Sequence, residues 1–121
     1  MRTPIAYTLA WPSRIETPSK RLDLGAISTL RFEPPDETRF PALRLAREAL
    51  NSGGAAATVL NAANEVAVEA FCVRQLSYLG ITETVAAVMK SHEVVTQPSL
   101  EEILEADSWA RKAAKNLVLD A

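Results

Sequence analysis

The sequence contains few of the side chains from which cross-links and active sites are usually built. Its 121 residues include one cysteine, Cys72, and one histidine, His92. A single cysteine cannot form an internal disulfide, and one cysteine with one histidine cannot supply the four ligands of a structural zinc site. Cys72 falls inside a predicted helix and His92 outside it. We therefore expect Cys72 to be a buried structural residue and His92 to be structural or exposed near a helix end.

Charge and hydropathy indicate neither a nucleic-acid partner nor a membrane partner. The net charge is −2, whereas nucleic-acid binding normally needs clustered lysine and arginine. No apolar run approaches the roughly 20 residues that span a bilayer. Pro4 and Tyr7 interrupt the mildly apolar stretch at the N-terminus, and Trp11-Pro12 follows it, which is not typical of a signal peptide. With 48% hydrophobic and 23% charged residues, the composition predicts a globular protein. Since neither a signal peptide nor a membrane span is predicted, we expect it to be cytoplasmic.

The distribution of proline divides the chain near residue 36. Five of the seven prolines lie at or before position 35, so an irregular arm, residues 1–35, is predicted to precede a helical domain, residues 36–121. Pro4 to Ala10 fit a short helix with proline in its first turn. Ala26 to Phe32 alternate as in a strand. Because one strand cannot satisfy its own backbone groups, and no convincing second strand is present, we expect its partners to lie outside this chain.

The helical domain is predicted to contain four helices. The first begins at Pro41 and ends at Gly53-Gly54, a pair that fits a helix end better than an anion-binding turn. The second spans residues 56–75, and the third follows Gly80 with Thr82 as its N-cap. Residues at helical spacing are predicted to face the core in the first and third helices: Leu43, Ala46, Leu50, Val85, Val88 and Met89.

The fourth helix has the clearest signals. Ser99 and Glu102 have the spacing of a capping box, in which each side chain satisfies a free N–H at the helix start. Apolar residues then recur at helical spacing: Leu100, Ile103, Leu104, Ala110, Ala114 and Leu117, with Trp109 beside them. Four amphipathic helices with short connections predict an antiparallel bundle. The expected fold is mainly α, a four-helix bundle preceded by an extended arm with a short helix and one strand.

Polar residues interrupt the apolar pattern of the second helix in "LNAANEVAVEAF". Asn61, Glu65 and Glu69 fall on one side, with Asn64 at the border of the apolar face. Three interpretations are open: a solvated face, a metal site on Glu65 and Glu69, or a docking face. We favour docking by Asn61, Asn64 and Glu65, because an amide can both donate to and accept from exposed backbone. Leucine at position 61 or 64 is then expected to weaken attachment of the arm.

Four segments together resemble one known enzyme family: "MRTPIAYTLAWPSR", "LRFEPPDETRFPALRLAREAL", "VLNAANEVAVEAF" and "PSLEEILEADSWAR". In this order and spacing they are similar to the C-terminal portion of 1-deoxy-D-xylulose 5-phosphate reductoisomerases. The resemblance implies a parent enzyme that makes 2-C-methyl-D-erythritol 4-phosphate in non-mevalonate isoprenoid biosynthesis, using NADPH and a divalent metal, magnesium or manganese. It also implies a homodimer.

The resemblance divides the chain between two parts of such an enzyme. Residues 1–35 resemble the end of the central catalytic domain with its linker arm, and residues 36–121 resemble the C-terminal helical domain. The family's nucleotide-binding glycines, metal-binding carboxylates and phosphate ligands lie upstream, so no catalytic or metal-binding residue is carried onto this sequence. Met1 alone matches a methionine close to the bound cofactor. The resemblance therefore implies a supporting piece that binds neither NADPH nor metal alone and is inactive without the upstream domains.

Two other interpretations remain open at this point. The chain fits an independent helical interaction module that self-associates through its unpaired strand, by exchange of the arm between copies. It also fits, less well, a small metal-carboxylate helical enzyme based on Glu65 and Glu69. An upstream reading frame with a dinucleotide-binding fingerprint would favour the parent enzyme, whereas metal analysis would test the metal-carboxylate alternative.

Overall fold

The computed structural model describes residues 1–119, and the chain falls into two compact units, Met1–Pro34 and Pro35–Ala121. The first unit contains α1, Arg2–Ala10, and a single-turn helix α2, Leu24–Ile27. α1 includes the predicted short helix. α2 begins where the Asp23 carboxylate accepts a hydrogen bond of 3.0 Å from the Ala26 N–H, an N-cap that the sequence analysis missed.

The predicted strand from Ala26 to Phe32 is not formed. Ala26 and Ile27 belong to α2, Ser28 has a positive φ of 65°, and residues 28–36 have no regular secondary structure. Phe32 is 87% exposed. Residues 1–119 contain no other strand either. Because a strand is stable only when a neighbour pairs with its backbone, alternation alone does not hold this segment in a ladder.

The second unit is a bundle of the four predicted helices. These are α3, Ala42–Ser52, α4, Ala56–Cys72, α5, Tyr78–Ser91, and α6, Leu100–Leu119. α4 packs against all three of the others, and α5 also packs against α6. The mainly α prediction is therefore confirmed. Within residues 1–119, no helix is both long enough and apolar enough to cross a bilayer.

Small side chains make up most of the buried face of α4. Ala62, Ala63 and Ala67 are completely buried, as is Val59 one turn earlier. The facing side chains from the other helices are Leu45 of α3, Val85 and Val88 of α5, and Ala110 and Ala114 of α6. Because alanine projects little from a helix, the neighbouring helices can pack close to α4, and Leu45 and the valines of α5 fill the space that remains.

The predicted core stripe of α3 is wrong, whereas that of α6 is confirmed at Ala110 and Ala114 but not at its leucines. On α3 the buried residues are Leu45 and Ala49, while Leu43 and Leu50 are 45% and 78% exposed, and Ala46 is exposed as well. On α6 the bundle buries Ala110 and Ala114, whereas three predicted core leucines are exposed: Leu100, Leu104 and Leu117. On α6 the two alanines face α4, whereas on α3 the stripe that faces α4 combines Leu45 with Ala49.

Local capping signals decide where α5 and α6 begin. The predicted capping box of α6 is confirmed: the Ser99 N–H donates to Glu102 Oε2 at 2.7 Å, and the Glu102 N–H donates to Ser99 Oγ at 3.2 Å. Thr82 is not the N-cap of α5. Ser77 takes that position, since its backbone is extended and its hydroxyl accepts from the Gly80 N–H at 3.0 Å. The third helix consequently begins earlier than predicted, with Val85 and Val88 buried.

The turn between α3 and α4 depends on two glycines with left-handed backbone. Gly53 has a φ of 67° and closes α3 through its N–H to Ala49 O at 3.1 Å, and Gly54 has a φ of 52°. A Cβ atom on Gly54 would lie 1.9 Å from the backbone oxygen of Val95, in the α5–α6 connection. A Cβ atom on Gly53 would meet nothing within 4 Å. The close approach of the two loops therefore requires a residue without a Cβ atom at position 54 but not at position 53.

We expect Gly54→Ala to destabilise the bundle more than Gly53→Ala. Both changes introduce backbone strain of roughly 1–3 kcal/mol, because both glycines have a positive φ. Only Gly54→Ala adds a clash with backbone, which costs roughly 1–3 kcal/mol more. Urea denaturation followed by circular dichroism measures both losses of unfolding free energy. Equal losses for the two variants would show that the close approach to Val95 is not a constraint.

Candidate functional site

The polar face of α4 forms a hydrogen-bonded network with α6. Asn61 Nδ2 donates to Glu65 Oε1 at 2.9 Å, and Glu65 Oε2 accepts from Arg111 Nη2 at 2.7 Å. Arg111 also donates to the Asp107 carboxylate, through Nε at 2.8 Å and through Nη2 at 3.2 Å. We refer to Asn61, Glu65, Asp107 and Arg111 as the α4–α6 network. Each helix contributes an i,i+4 pair, so both pairs are fixed by helical geometry.

The electrostatics of the network stabilise its charged forms. The hydrogen bond from Arg111, followed by that from Asn61, lowers the pKa of Glu65. The hydrogen bonds to Asp107 and then to Glu65 raise the pKa of Arg111. The side chains of Glu65 and Arg111 are 52% and 36% exposed, so solvent screens the pair. A carboxylate that is ionised and paired with arginine near neutral pH is not suited to donate a proton as a general acid.

The network also uses the carboxylate on which a metal-carboxylate site would depend. Glu65 directs its two oxygens at Asn61 and Arg111, whereas a divalent cation needs several oxygen ligands free of a competing guanidinium. Over residues 1–119 no three side chains among histidine, cysteine, aspartate and glutamate are grouped to hold a metal ion. The geometry on this face fits the pairing of two helices.

Asn64 lies outside the network and lines a separate surface cavity. The cavity has a volume of about 250 Å³ and lies between the chain entering α3 and the first turn of α5. We call it the Asn64 cavity, and its other lining residues are Arg39, Phe40, Pro41, Ala42, Tyr78, Leu79, Ile81 and Thr82. The structure thus brings Asn61 and Glu65 together and separates them from Asn64.

The remaining sequence candidates lie apart from both features. Met1 is 90% exposed at the start of α1, in the first unit. Cys72 is exposed, contrary to the prediction of a buried residue, because Ala70 supplies the buried position in the last turn and Cys72 lies about 200° further around the helix. His92 follows α5, as expected for a residue near a helix end, and its ring lies 5.5 Å from that of Trp109.

Arg111 and Asp107 are the functional partners that sequence reasoning missed. Their i,i+4 spacing in "DSWAR" is a visible local signal for an ion pair. The longer connection is not visible, since Arg111 is 46 residues from Glu65 and the two meet only when α4 packs against α6. The i,i+4 spacing of Asn61 and Glu65 is also a local signal, for a hydrogen bond between the two side chains, whereas the docking prediction requires both side chains to be free for a partner.

We predict that the α4–α6 network stabilises the bundle at neutral pH and that this stabilisation is lost in acid. The pKa of Glu65 is lowered in the folded chain. Its contribution to the unfolding free energy is therefore fully present above the ordinary glutamate pKa of about 4.3. This contribution is lost as the pH falls through the pKa of the folded state. Glu65→Gln is therefore expected to lower the urea midpoint at pH 7, and its difference from the unsubstituted chain is expected to shrink at pH 3. A difference that stays constant across this range would contradict the role assigned to the ionised pair.

Glu69→Gln is the matched control for that experiment. Glu69 lies one turn after Glu65 on the same helix and makes no side-chain hydrogen bond among residues 1–119. We expect it to leave the urea midpoint nearly unchanged at both pH values. Arg111→Met, which removes the guanidinium and keeps an apolar stem, is expected to reproduce the loss seen for Glu65→Gln at pH 7.

Comparison with known sequences places almost the whole chain in one family. The family described as "DXP reductoisomerase C-terminal domain" matches residues 1–113. The 1-deoxy-D-xylulose 5-phosphate reductoisomerases of Chlorobium chlorochromatii and Chlorobaculum tepidum are each 52% identical over 118 residues, which is 98% of this chain and 31% of each relative. The chain thus spans about a third of the length of the curated relatives that it matches.

Solved structures agree with the sequence comparison. The reductoisomerase from Zymomonas mobilis in complex with NADPH aligns with a TM-score of 0.80 and 45% identity, covering 96% of this chain and 31% of that one. A DOX-P reductoisomerase in complex with NADPH, fosmidomycin and magnesium aligns with a TM-score of 0.81 and 36% identity, covering 98% and 31%. The chain therefore belongs to the 1-deoxy-D-xylulose 5-phosphate reductoisomerase family, and it corresponds to the C-terminal part of its members.

Proposed function

We propose that this chain is the C-terminal part of an enzyme that rearranges 1-deoxy-D-xylulose 5-phosphate and reduces the product to 2-C-methyl-D-erythritol 4-phosphate. The observation that carries the proposal is the 52% identity to named reductoisomerases over 98% of the chain. NADPH as reductant and a divalent metal, magnesium or manganese, are proposed for the parent enzyme, in line with relatives solved with NADPH and magnesium. The comparisons do not favour an independent interaction module.

The residues of this chain do not fit NADPH or the metal by themselves. The ion pair with Arg111 engages the Glu65 carboxylate, and residues 1–119 present no cluster of three metal-ligating side chains. The glycine pair at Gly53-Gly54 lacks the spacing of a dinucleotide-binding turn. We therefore assign the chemistry to the upstream domains, and we assign to this chain the role of a folded support. Met1 is proposed to lie close to the cofactor only in the assembled enzyme.

The docking role proposed for the polar face of α4 is divided between its residues. Asn61 and Glu65 hold α4 to α6 through Arg111, at 2.7 Å from Glu65 Oε2, so they support the shape of the bundle. Asn64 borders the Asn64 cavity and is proposed to contact the rest of the enzyme.

The chain is proposed to comprise two parts of the parent enzyme. Residues 1–35 are the end of the central catalytic domain with its linker, and residues 36–121 are the C-terminal helical domain.

The parent enzyme is proposed to be a cytoplasmic homodimer, and its upstream domains are the proposed partner of this chain. Sizing of the complete enzyme by light scattering tests the dimer. Within residues 1–119, 26 large apolar side chains are substantially exposed, which favours some self-association of the isolated chain at high concentration when the upstream domains are missing. Light scattering of the isolated chain at increasing concentration tests this second proposal.

The proposed activity is tested with a chimaera. The matched C-terminal segment of the Chlorobaculum tepidum reductoisomerase is replaced by this chain, and oxidation of NADPH is followed at 340 nm in the presence of 1-deoxy-D-xylulose 5-phosphate and magnesium. We expect turnover within about tenfold of the unsubstituted enzyme, because half of the residues are already identical and a supporting domain acts by holding positions rather than by reacting.

The isolated chain is the control for the chimaera. It is expected to oxidise no NADPH under the same conditions, since positioned ligands for the cofactor and metal are supplied from upstream. Turnover by the isolated chain would overturn the assignment of a supporting role. A folded chimaera without activity, beside an active parent, would count against membership of a functional reductoisomerase.

A further inference from the structure

We propose that a basic cavity in the first unit binds a phosphate monoester, a small organic molecule that carries a phosphate dianion. The cavity has a volume of about 730 Å³ and lies between the first turn of α1 and the chain that follows this helix. We call it the basic cavity, because Arg14, Lys20 and Arg21 line it and Glu16 is the one acid among its lining residues. Every residue that the inference uses belongs to the first unit, so it does not depend on the proposed function.

The positive charge of this cavity contrasts with the acidity of the rest of the chain. Residues 1–34 contain five basic and three acidic residues, a net charge of +2, whereas residues 35–121 contain eight and twelve, a net charge of −4. Three of the five basic residues of the first unit line the basic cavity. A concave surface lined by charge of one sign raises the local concentration of ions of the opposite sign. The first unit therefore attracts anions that the bundle repels.

Two of the three cations are available to a ligand. Arg14 and Lys20 form no ion pair among residues 1–119. The Arg14 guanidinium lies 5.9 Å from the centre of the Tyr7 ring, a contact that holds the side chain in place without neutralising its charge. Arg21 Nη2 lies 3.4 Å from Glu16 Oε1, but the two side chains are 89% and 94% exposed, so this pair is weak and can be exchanged for a ligand.

The hydroxyl groups and the net charge of the cavity favour a phosphate group over a carboxylate. Thr3, Thr17 and Ser19 also line it, and each hydroxyl can donate one hydrogen bond to an anion oxygen. Three cations and one carboxylate give a net charge of +2, which balances the charge of about −1.5 to −2 on a phosphate monoester near pH 7. A guanidinium binds two phosphate oxygens through parallel N–H groups, and the third oxygen remains for an ammonium or a hydroxyl group.

The apolar part of the lining favours an ester over a free phosphate ion. Ile15 and Leu22 line the same cavity and are 57% and 71% exposed, so they offer a surface to the organic part of the ligand. The volume of about 730 Å³ exceeds the space needed by one phosphate group and falls in the range of roughly 300–1,000 Å³ typical of small-molecule sites. A long polyanion such as a nucleic acid is disfavoured, because the net charge of −4 on residues 35–121 would repel it.

Isothermal titration calorimetry of the whole chain at low ionic strength tests the proposal. The probes are monobutyl phosphate, inorganic phosphate and n-butanol. Arg14→Gln removes a cation of the cavity, and its matched control is Arg31→Gln, which removes the same charge from the same unit outside the cavity. Glu16→Gln removes the competing carboxylate, and its matched control is Glu33→Gln, also in the first unit and outside the cavity. Far-ultraviolet circular dichroism checks that each variant keeps its helix content.

We expect monobutyl phosphate to bind with a Kd on the order of 1 mM, inorganic phosphate to bind about threefold more weakly, and n-butanol not to bind. Arg14→Gln is expected to raise the Kd about tenfold, because charge-assisted hydrogen bonds are lost. Glu16→Gln is expected to lower the Kd about threefold, because Arg21 is then released to the ligand. The two control variants are expected to change the Kd by less than about twofold. If Arg14→Gln alters the helix content, Lys20→Gln replaces it.

Three results would overturn the proposal. The lack of saturable binding for both phosphates would show that the cavity is not an anion site. An effect of Arg31→Gln as large as that of Arg14→Gln, or no tightening by Glu16→Gln, would show diffuse attraction to the unit rather than a defined site. Equal affinities for inorganic phosphate and monobutyl phosphate would overturn the assignment to an ester and leave a site for the free ion. The proposed function is judged separately, by turnover of the chimaera.

Discussion

The close approach of three helices to α4 is the constraint on which the rest of the bundle depends. Ala62, Ala63 and Ala67 contribute almost no side-chain volume at the centre, so α3, α5 and α6 are held near the α4 backbone by many short contacts. Such a centre tolerates additional volume poorly, because a larger side chain forces a helix outwards along its length. The connections must then be tight as well. The loop at Gly54 consequently passes against the backbone of Val95.

The α4–α6 network follows from the same constraint. Arg111 lies one position beyond Ala110, which is fully buried against α4, so its guanidinium emerges at the edge of the helix pair and reaches Glu65 at 2.7 Å. Asp107 holds the guanidinium from one turn earlier on its own helix. The network is exposed and solvent-screened, so its contribution to stability is modest. Its geometric effect is to favour one alignment of α6 along α4.

Sequence reasoning located the helices well because the signals for their ends are local. The Ser99–Glu102 capping box involves residues three apart, and the structure shows both of its hydrogen bonds. The N-cap of α5 was misplaced at Thr82 because Ser77 gives an equally local signal, one turn earlier. The strand failed for a different reason: pairing of residues 26–32 depends on partners that are not near in sequence, so a local alternation cannot establish it.

Sequence reasoning was weaker on which helix face is buried. α3 has two apolar stripes that each combine leucine with alanine. The predicted stripe has two leucines, Leu43 and Leu50, but the buried stripe is that of Leu45 and Ala49. The choice depends on how much volume the centre accepts, which is a property of the assembled helices. The candidate site shows the same division, since the Asn61–Glu65 pair is local but the partner Arg111 is supplied by tertiary packing.

The choice of which apolar stripe faces the core has a consequence for the outer surface. On α6, Ala110 and Ala114 satisfy the bundle, and Leu104 is left 61% exposed. On α3, Leu45 and Ala49 are buried, and Leu50 is left 78% exposed. Exposed leucines contribute nothing to the stability of an isolated bundle and raise its tendency to aggregate. They become stabilising once a neighbouring domain covers them, by about 25 cal/mol for each Å² of apolar area removed from water. The same substitution, Leu50→Ser for example, then has opposite consequences in the two settings: it improves the solubility of the isolated chain and weakens a protein in which that stripe is covered.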